Sequence, residues 1–396
     1  MATMKSMATT MTGRRRLSEI APLILQSEIR SMTLECERVG GVNMAQGVCD
    51  TDLPPLVGEA AAAAIAAGKN TYTRQDGIAM LREAIAAKLA AYNGITADPH
   101  TEIMVTAGAT GGLYTAALAL LDPGDEVILF EPFYGYHWNA MRSLRVTPVA
   151  VELEAPDWAL DIARLRAAIT PKTRAMIVNT PTNPTGKVFS LAEMEAIAEL
   201  AREHDLFVFT DEIYEHFLFG GAQHISMATL PGMRERTITI SGLSKTFSMT
   251  GWRVGYVMAA AEWMPTIGYF NDLVYICAPG PLQFGAAAGL VGLPKSFYAD
   301  HAREYEQKRD RICAALMDAG MRPSVPQGAY YVLADVSRVP GATSSEKARR
   351  LLQDTGVAAV AGSAFFRPGG GENLLRFCFG KKDEALERAC EALRAY

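Results

Sequence analysis

The sequence lacks the features that send a protein to nucleic acid, into a membrane or into a disulfide framework. Lys and Arg number 38 against 43 Asp and Glu, for a net charge of −5. A basic face able to capture a phosphate backbone is not expected, and neither is a nucleic-acid partner. The longest conspicuous apolar run, Ala60 to Ala67, falls far short of the ~20 residues of a membrane span. Six cysteines are scattered without a C-x-x-C pair. That spacing fits neither a zinc site nor a disulfide scaffold, and it suits free thiols in a reducing compartment. No metal site is expected. No low-complexity linker or repeat divides the chain. The first 17 residues hold Lys5 and Arg14 to Arg16, no acid and no apolar stretch of signal-peptide length. They read as a flexible extension, with a transit peptide as the alternative. The protein is expected to be soluble and cytoplasmic.

What is present points to a large α/β protein. The 396 residues, 49% of them hydrophobic, suffice for more than one domain and a substantial core. Residues 58–67 and 78–92 read as helices, the second with Ile78, Leu81, Ile85 and Leu89 at helical spacing. Short apolar runs follow at 103–105, 127–130, 175–178, 206–209, 237–240 and 254–258, and a helical stretch at 191–204 lies between two of them. Strands alternating with helices predict a mostly parallel sheet covered on both faces. The C-terminal part opens with a charged helix around 302–319, continues with strand-like 330–334 and 374–379, and ends in a helix. The expected division is an extension at 1–17, a segment at 18–50 that joins the small domain, a large domain at 51–295 and a small C-terminal domain at 296–396.

Ligands of open α/β sheets sit beyond the carboxyl ends of the strands. Four of the apolar runs are followed there by polar or glycine-rich residues: Gly108-Ala109-Thr110, Asn179 to Gly186, Asp211 with Tyr214, and Ser241 to Lys245. A lysine amine is nucleophilic once deprotonated, and burial lowers its pKa. The Arg253 guanidinium suits a phosphate dianion. Small residues at Gly108 to Gly112 let an anion approach the N–H groups of a helix start. A carboxylate at Asp211 is costly in a buried strand unless paired, and the charge of Arg376 inside an apolar strand calls for an anion. Ordinary readings compete at each position: a surface lysine, a surface ion pair, a plain strand-to-helix turn, a helix N-cap.

The segment Ser241 to Tyr256, S-G-L-S-K-T-F-S-M-T-G-W-R-V-G-Y, resembles the lysine signature of the class I/II aminotransferases, which are fold type I enzymes of pyridoxal 5'-phosphate (PLP). The resemblance implies an α/β fold with a mostly parallel sheet flanked by helices, and a smaller α+β domain built from both chain ends. It implies that Lys245 holds PLP as a Schiff base and that Arg253 grips its phosphate. Gly108, Ala109 and Thr110 match the family's phosphate-binding turn. Ser241 is carried as a further hydroxyl, although Gly242 stands where many relatives have a phosphate-binding Ser. Asp211 matches the partner of the pyridine nitrogen, Asn183 and Tyr214 the partners of the phenolic oxygen, and Tyr134 the aromatic over the ring. One or both of the Thr180–Pro181 and Asn183–Pro184 bonds are expected to be cis. Arg376, helped by Asn183 and a backbone N–H near Gly47, matches the receptor of the substrate α-carboxylate. Tyr72 resembles the tyrosine that reaches the phosphate of a neighbouring subunit, which implies a homodimer with a shared active site.

The implied activity is transfer of an amino group from an amino acid to a 2-oxo acid, with Lys245 as proton shuttle. Aspartate aminotransferase activity, or a C–S lyase or other elimination on the same fold, is the alternative. A DNA-binding regulator is disfavoured, because 17 N-terminal residues are too few for a helix-turn-helix. Around Val274 to Gln283, where several relatives place a cation for a second carboxylate, there is no Arg or Lys. Neutral, aromatic or sulfur-containing donors are therefore favoured.

Overall fold

A computed structural model describes residues 17–24 and 28–396, without the side chain of Glu28; the expected extension at 1–17 lies almost wholly outside the described residues. Helix α1 (Glu28–Val39), the short strand β1 (Val42–Asn43) and helices α2 (Pro55–Ala66) and α3 (Ala79–Lys88) come first. The expected helix over 78–92 is α-helical only to Lys88. It then widens into a π-helical turn, Leu89–Asn93, that Gly94 closes at φ 72°.

Eight strands form the central sheet: β2 (Ile103–Thr106), β3 (Glu126–Glu131), β4 (Thr147–Glu154), β5 (Ala159–Leu160), β6 (Thr173–Asn179), β7 (Phe207–Asp211), β8 (Thr237–Gly242) and β9 (Gly255–Met258). Their order is β2-β9-β8-β7-β6-β3-β4-β5. The run β8-β7-β6-β3-β4 is parallel, while β9 and the edge strand β5 are antiparallel to their neighbours. Sequence reading missed β4, which contains Pro148. The proline is tolerated because β5 covers only Leu153 and Glu154, leaving the stretch around Pro148 as an open edge.

Alternation along the strands sets the two faces. Val127, Leu129, Phe207, Phe209, Ile238 and Ile240 pack under helix α4 (Gly108–Leu120) and its neighbour α5 (Gly135–Ser143). Ile128, Phe130, Met176, Val178 and Val208 pack on the other face against α6 (Ile162–Ala168) and α7 (Leu191–Glu203). Ser190 starts α7 with a capping box, its hydroxyl on the Glu193 N–H and the Glu193 carboxylate returning to Ser190. Helices α8 (Met264–Tyr275) and α9 (Gly280–Gly292) complete the large layer, and α9 lies against α2.

The long helix α10 (Lys295–Asp318), starting seven residues before the expected 302, leads to a second sheet. That sheet comprises β10 (Arg322–Ser324), β11 (Tyr331–Asp335), β13 (Val360–Ala361) and β14 (Leu374–Cys378), all antiparallel. Helix α11 (Ser344–Thr355) and the terminal α12 (Asp383–Arg394) cover it. Strand β1 pairs in parallel with β12 (Val357–Ala358), so the N-terminal segment is built into the small domain. Met32 and Cys36 of α1 are buried in the same core. No helix among the described residues is long and apolar enough to cross a membrane.

Candidate active site

The carboxyl ends of β7 and β8, the start of α4 and the small-domain strand β14 converge on one cavity of about 680 Å³. Gly47, Ala109, Thr110, Tyr134, Asn183, Asp211, Tyr214, Lys245, Arg253 and Arg376 all line it. Residues picked from seven separate stretches of sequence thus meet around one space.

Lys245 follows β8, and its Nζ donates to the Gly47 carbonyl at 3.2 Å. No carboxylate lies within ion-pair distance of it among the described residues. Burial holds the amine below its ordinary pKa. Asp211 is the last residue of β7, on the same face as Phe207 and Phe209. Its Oδ2 lies 2.9 Å from the Nε2 of His137 on α5. Sequence reading did not single out His137; the available signal is its i,i+3 spacing from Tyr134. The Tyr134 ring meets the His137 ring edge-on at 5.2 Å, and burial pushes its hydroxyl well above the usual phenol range. The Tyr214 hydroxyl lies 2.9 Å from that of Tyr331, a second residue the sequence did not reveal. Burial, then the neighbouring Tyr331, drives Tyr214 upward in pKa.

At the α4 end, Gly108 has φ 74°, a backbone state that suits glycine. A Cβ there would come within 2.4 Å of the Arg253 guanidinium, so the glycine also makes room for the cation. Arg253 donates from Nη1 to the Thr250 carbonyl at 3.0 Å and from Nη2 to the Ala107 carbonyl at 3.4 Å. A guanidinium beside the first N–H groups of a 13-residue helix has the charge and donors that suit an anion.

Arg376 marks the opposite end. It is 1% exposed, donates to Asn183 Oδ1 at 3.0 Å and to the Ala45 carbonyl at 2.6 Å, and its Nε has no partner. The rings of Tyr331 and Phe365 pack on it at 4.4 and 4.9 Å. No carboxylate among the described residues neutralises it. Asn183 is fixed in turn by its backbone N–H on Asn179 Oδ1 at 2.8 Å, and the Thr180–Pro181 and Asn183–Pro184 bonds are both cis.

Ser241 does not join the cavity, contrary to expectation. Period two along β8 turns it away from the face of Ile238 and Ile240, and its hydroxyl donates to Glu215 Oε1 at 3.0 Å. Ser244 and Thr250 supply the hydroxyls of the wall instead. Gly108 lies behind the wall rather than in it, and Tyr72 stands outside, 78% exposed. Arg30, Thr33, Leu34 and Glu37 of α1 line the mouth, and none was singled out from the sequence.

Residues 39–393 match the family model described as Aminotransferase class I and II. The probable N-succinyldiaminopimelate aminotransferase of Mycobacterium tuberculosis is 39% identical over 374 residues, spanning 91% of this chain and 94% of that protein. An aromatic-amino-acid aminotransferase of Thermococcus litoralis is 35% identical, spanning 95% and 97%. Other relatives are named for kynurenine, methionine and aspartate. The solved structure of the N-succinyldiaminopimelate aminotransferase from Mycobacterium tuberculosis superposes with a TM-score of 0.93 at 37% identity, over 96% of this chain and all of that one. The signature around Lys245, the fold and these likenesses agree: the chain belongs to the class I and II aminotransferases.

Proposed function

We propose that the protein is a PLP-dependent aminotransferase that takes neutral, aromatic or sulfur-containing amino donors. The observation that carries this reading is the pair of basic groups without a carboxylate partner that face one cavity, the Lys245 amine and the Arg376 guanidinium, with Asp211, held by His137 at 2.9 Å, in the same wall. The cavity suits a flat ring with a phosphate at one end. Arg253 and the N–H groups at Ala109 and Thr110 would hold the phosphate, Tyr134 would cover the ring, and Asn183 and Tyr214 would donate to its phenolic oxygen.

Bound there, the cofactor supplies an electron sink for the substrate α-carbon. Asp211, oriented by His137, keeps a proton on the ring nitrogen. Arg376 takes the substrate α-carboxylate in a two-pronged contact, which its partnerless Nε leaves room for. Lys245 Nζ, whose pKa burial lowers, accepts the α-proton and returns it. Asn183 links the two ends, since its Oδ1 also holds Arg376 in place.

Tyr72 is 78% exposed, and Tyr269, Leu273, Val274 and Ile276 are 44–78% exposed, which supports a homodimer in which these apolar side chains are covered and Tyr72 enters the neighbouring cavity. Six free cysteines favour a reducing compartment such as the cytoplasm.

A panel of amino donors with 2-oxoglutarate tests the function. The expected products are the donor's 2-oxo acid and glutamate in equal amounts, with the best rates for methionine, phenylalanine or tyrosine. Ammonia with pyruvate from a sulfur-containing donor replaces transfer by elimination, and a preference for aspartate overturns the donor class.

A further inference from the structure

With Lys245, Asp211, Arg253 and Arg376 given roles, two charged side chains of the cavity lining remain, Arg30 and Glu37, and both belong to α1. Thr33 and Leu34 line the cavity between them, at the spacing of one helix face. The opposite face is anchored, with Met32 and Cys36 buried in the small-domain core. A hydrogen-bonded path also ties this rim to the floor. Arg376 Nη2 donates to the Ala45 carbonyl at 2.6 Å, the Ala45 N–H donates to Asn43 Oδ1 at 3.0 Å, and Asn43 Nδ2 donates to Thr33 Oγ1 at 3.2 Å. Arg30 stands one turn before Thr33, exposed, with no hydrogen-bond or carboxylate partner for its guanidinium among the described residues.

We propose that Arg30 is a second carboxylate receptor, binding the far carboxylate of a 2-oxo dicarboxylate whose first carboxylate rests on Arg376. This rests on the transaminase reading above and names the side chain that would select its acceptor. A transaminase must pass two different substrates through one pocket. A neutral donor side chain would pack against Leu34 and Tyr136, which line the cavity, and would ask nothing of Arg30, which keeps its charge in water at little cost because its stem is long and flexible. A dicarboxylate acceptor recruits the same guanidinium, a planar fork suited to a carboxylate. Glu37 lies about 10 Å further along the helix and repels a carboxylate there, which biases it toward Arg30.

Two paired comparisons on the holoenzyme test this. The first is the ratio of kcat/KM for 2-oxoglutarate to that for 2-oxopentanoate, which lacks only the far carboxylate. The second is the ratio of dissociation constants for the unreactive acids glutarate and pentanoate. Arg30→Gln is expected to lower both preferences about tenfold, through KM rather than kcat in the first. Arg30→Lys should keep part of the preference. Arg38→Gln, on the same helix but outside the cavity lining, should leave it unchanged. Unaltered ratios in Arg30→Gln, or an equal fall in Arg38→Gln, overturn the proposal. If the enzyme transaminates no pair of substrates, the functional reading fails, and the glutarate and pentanoate constants still decide on Arg30.

Discussion

The two faces of the strand ends β7 and β8 carry similar charged side chains in opposite states. Behind the sheet, Glu215 forms an ion pair with Lys88 and accepts from Asn93 at 2.8 Å and Ser241 at 3.0 Å. Glu212 accepts from Ser226 at 2.6 Å and lies 2.8 Å from His224. Glu212, Glu215 and His224 gather their ligand atoms within 4.8 Å, but Lys88 already supplies the cation. On the cavity face, Lys245 and Arg376 touch only neutral oxygens. A buried charge that has its partner belongs to the scaffold, and one that lacks it is waiting for a ligand. One residue of sequence separates the two cases, since Asp211 faces the cavity and Glu212 the network behind it.

Substitutions on the two faces should therefore separate activity from stability. Arg376→Met is expected to lower kcat/KM by about a thousandfold, about 4 kcal/mol, if the buried guanidinium holds the substrate carboxylate as proposed, with apoenzyme stability changed by at most about 1 kcal/mol. Steady-state kinetics beside denaturant unfolding measure both; a large stability loss with modest kinetic change would reverse the contrast. Lys88→Met should do the opposite. It strands the Glu215 carboxylate and should cost about 3 kcal/mol of stability, most of it regained in the Lys88→Met/Glu215→Leu double variant. Absence of that recovery breaks the pairing argument.

The smallest effect expected is on acid stability. Burial holds the His216 imidazole down at about 3, against an ordinary 6.5. Glu215 is held at about 2 against 4.5; burial opposes this, and the Lys88 charge outweighs it. In both cases the unfolded chain binds more protons, so stability rises with pH. The His216 contribution to acid lability should begin as pH falls below 6.5 and continue to about 3, and the Glu215 contribution is lost between 4.5 and 2. His216→Phe keeps a ring between Tyr92 and Tyr298 and should flatten the dependence between pH 6 and 4 by up to about 1.4 kcal/mol per pH unit. An unchanged slope in urea unfolding would show that His216 is not the group.

Much of the cavity was legible because its residues sit at strand ends, where apolar runs stop and a few polar side chains stand out. The lysine segment named the family, and Asp211, Asn183 and Arg376 followed from it. What stayed hidden had no local signal. His137 reaches Asp211 across 74 residues of sequence, and Tyr331 meets Tyr214 across 117, inside a strand that reads as plain core. Ser241 misled because the signature supplies a hydroxyl without its facing, and the parity of β8 decides that. Arg30 was not singled out because the expectation that 18–50 joins the small domain says nothing of which face of α1 meets the cavity; the pairing of β1 with β12 beyond α1 and the burial of Met32 and Cys36 decide that. In the fold, β4 was hidden by Pro148, and the start of α10 by the proline at its N-cap.

The central claim is that the unpaired amine of Lys245 carries the cofactor. Reduction of the PLP-loaded protein with borohydride, followed by peptide mass spectrometry, tests it directly. A pyridoxyl-phosphate adduct confined to Lys245, and lost together with the visible absorption in Lys245→Ala, is the predicted result. An adduct on another lysine, or none on protein that still transaminates, would contradict it.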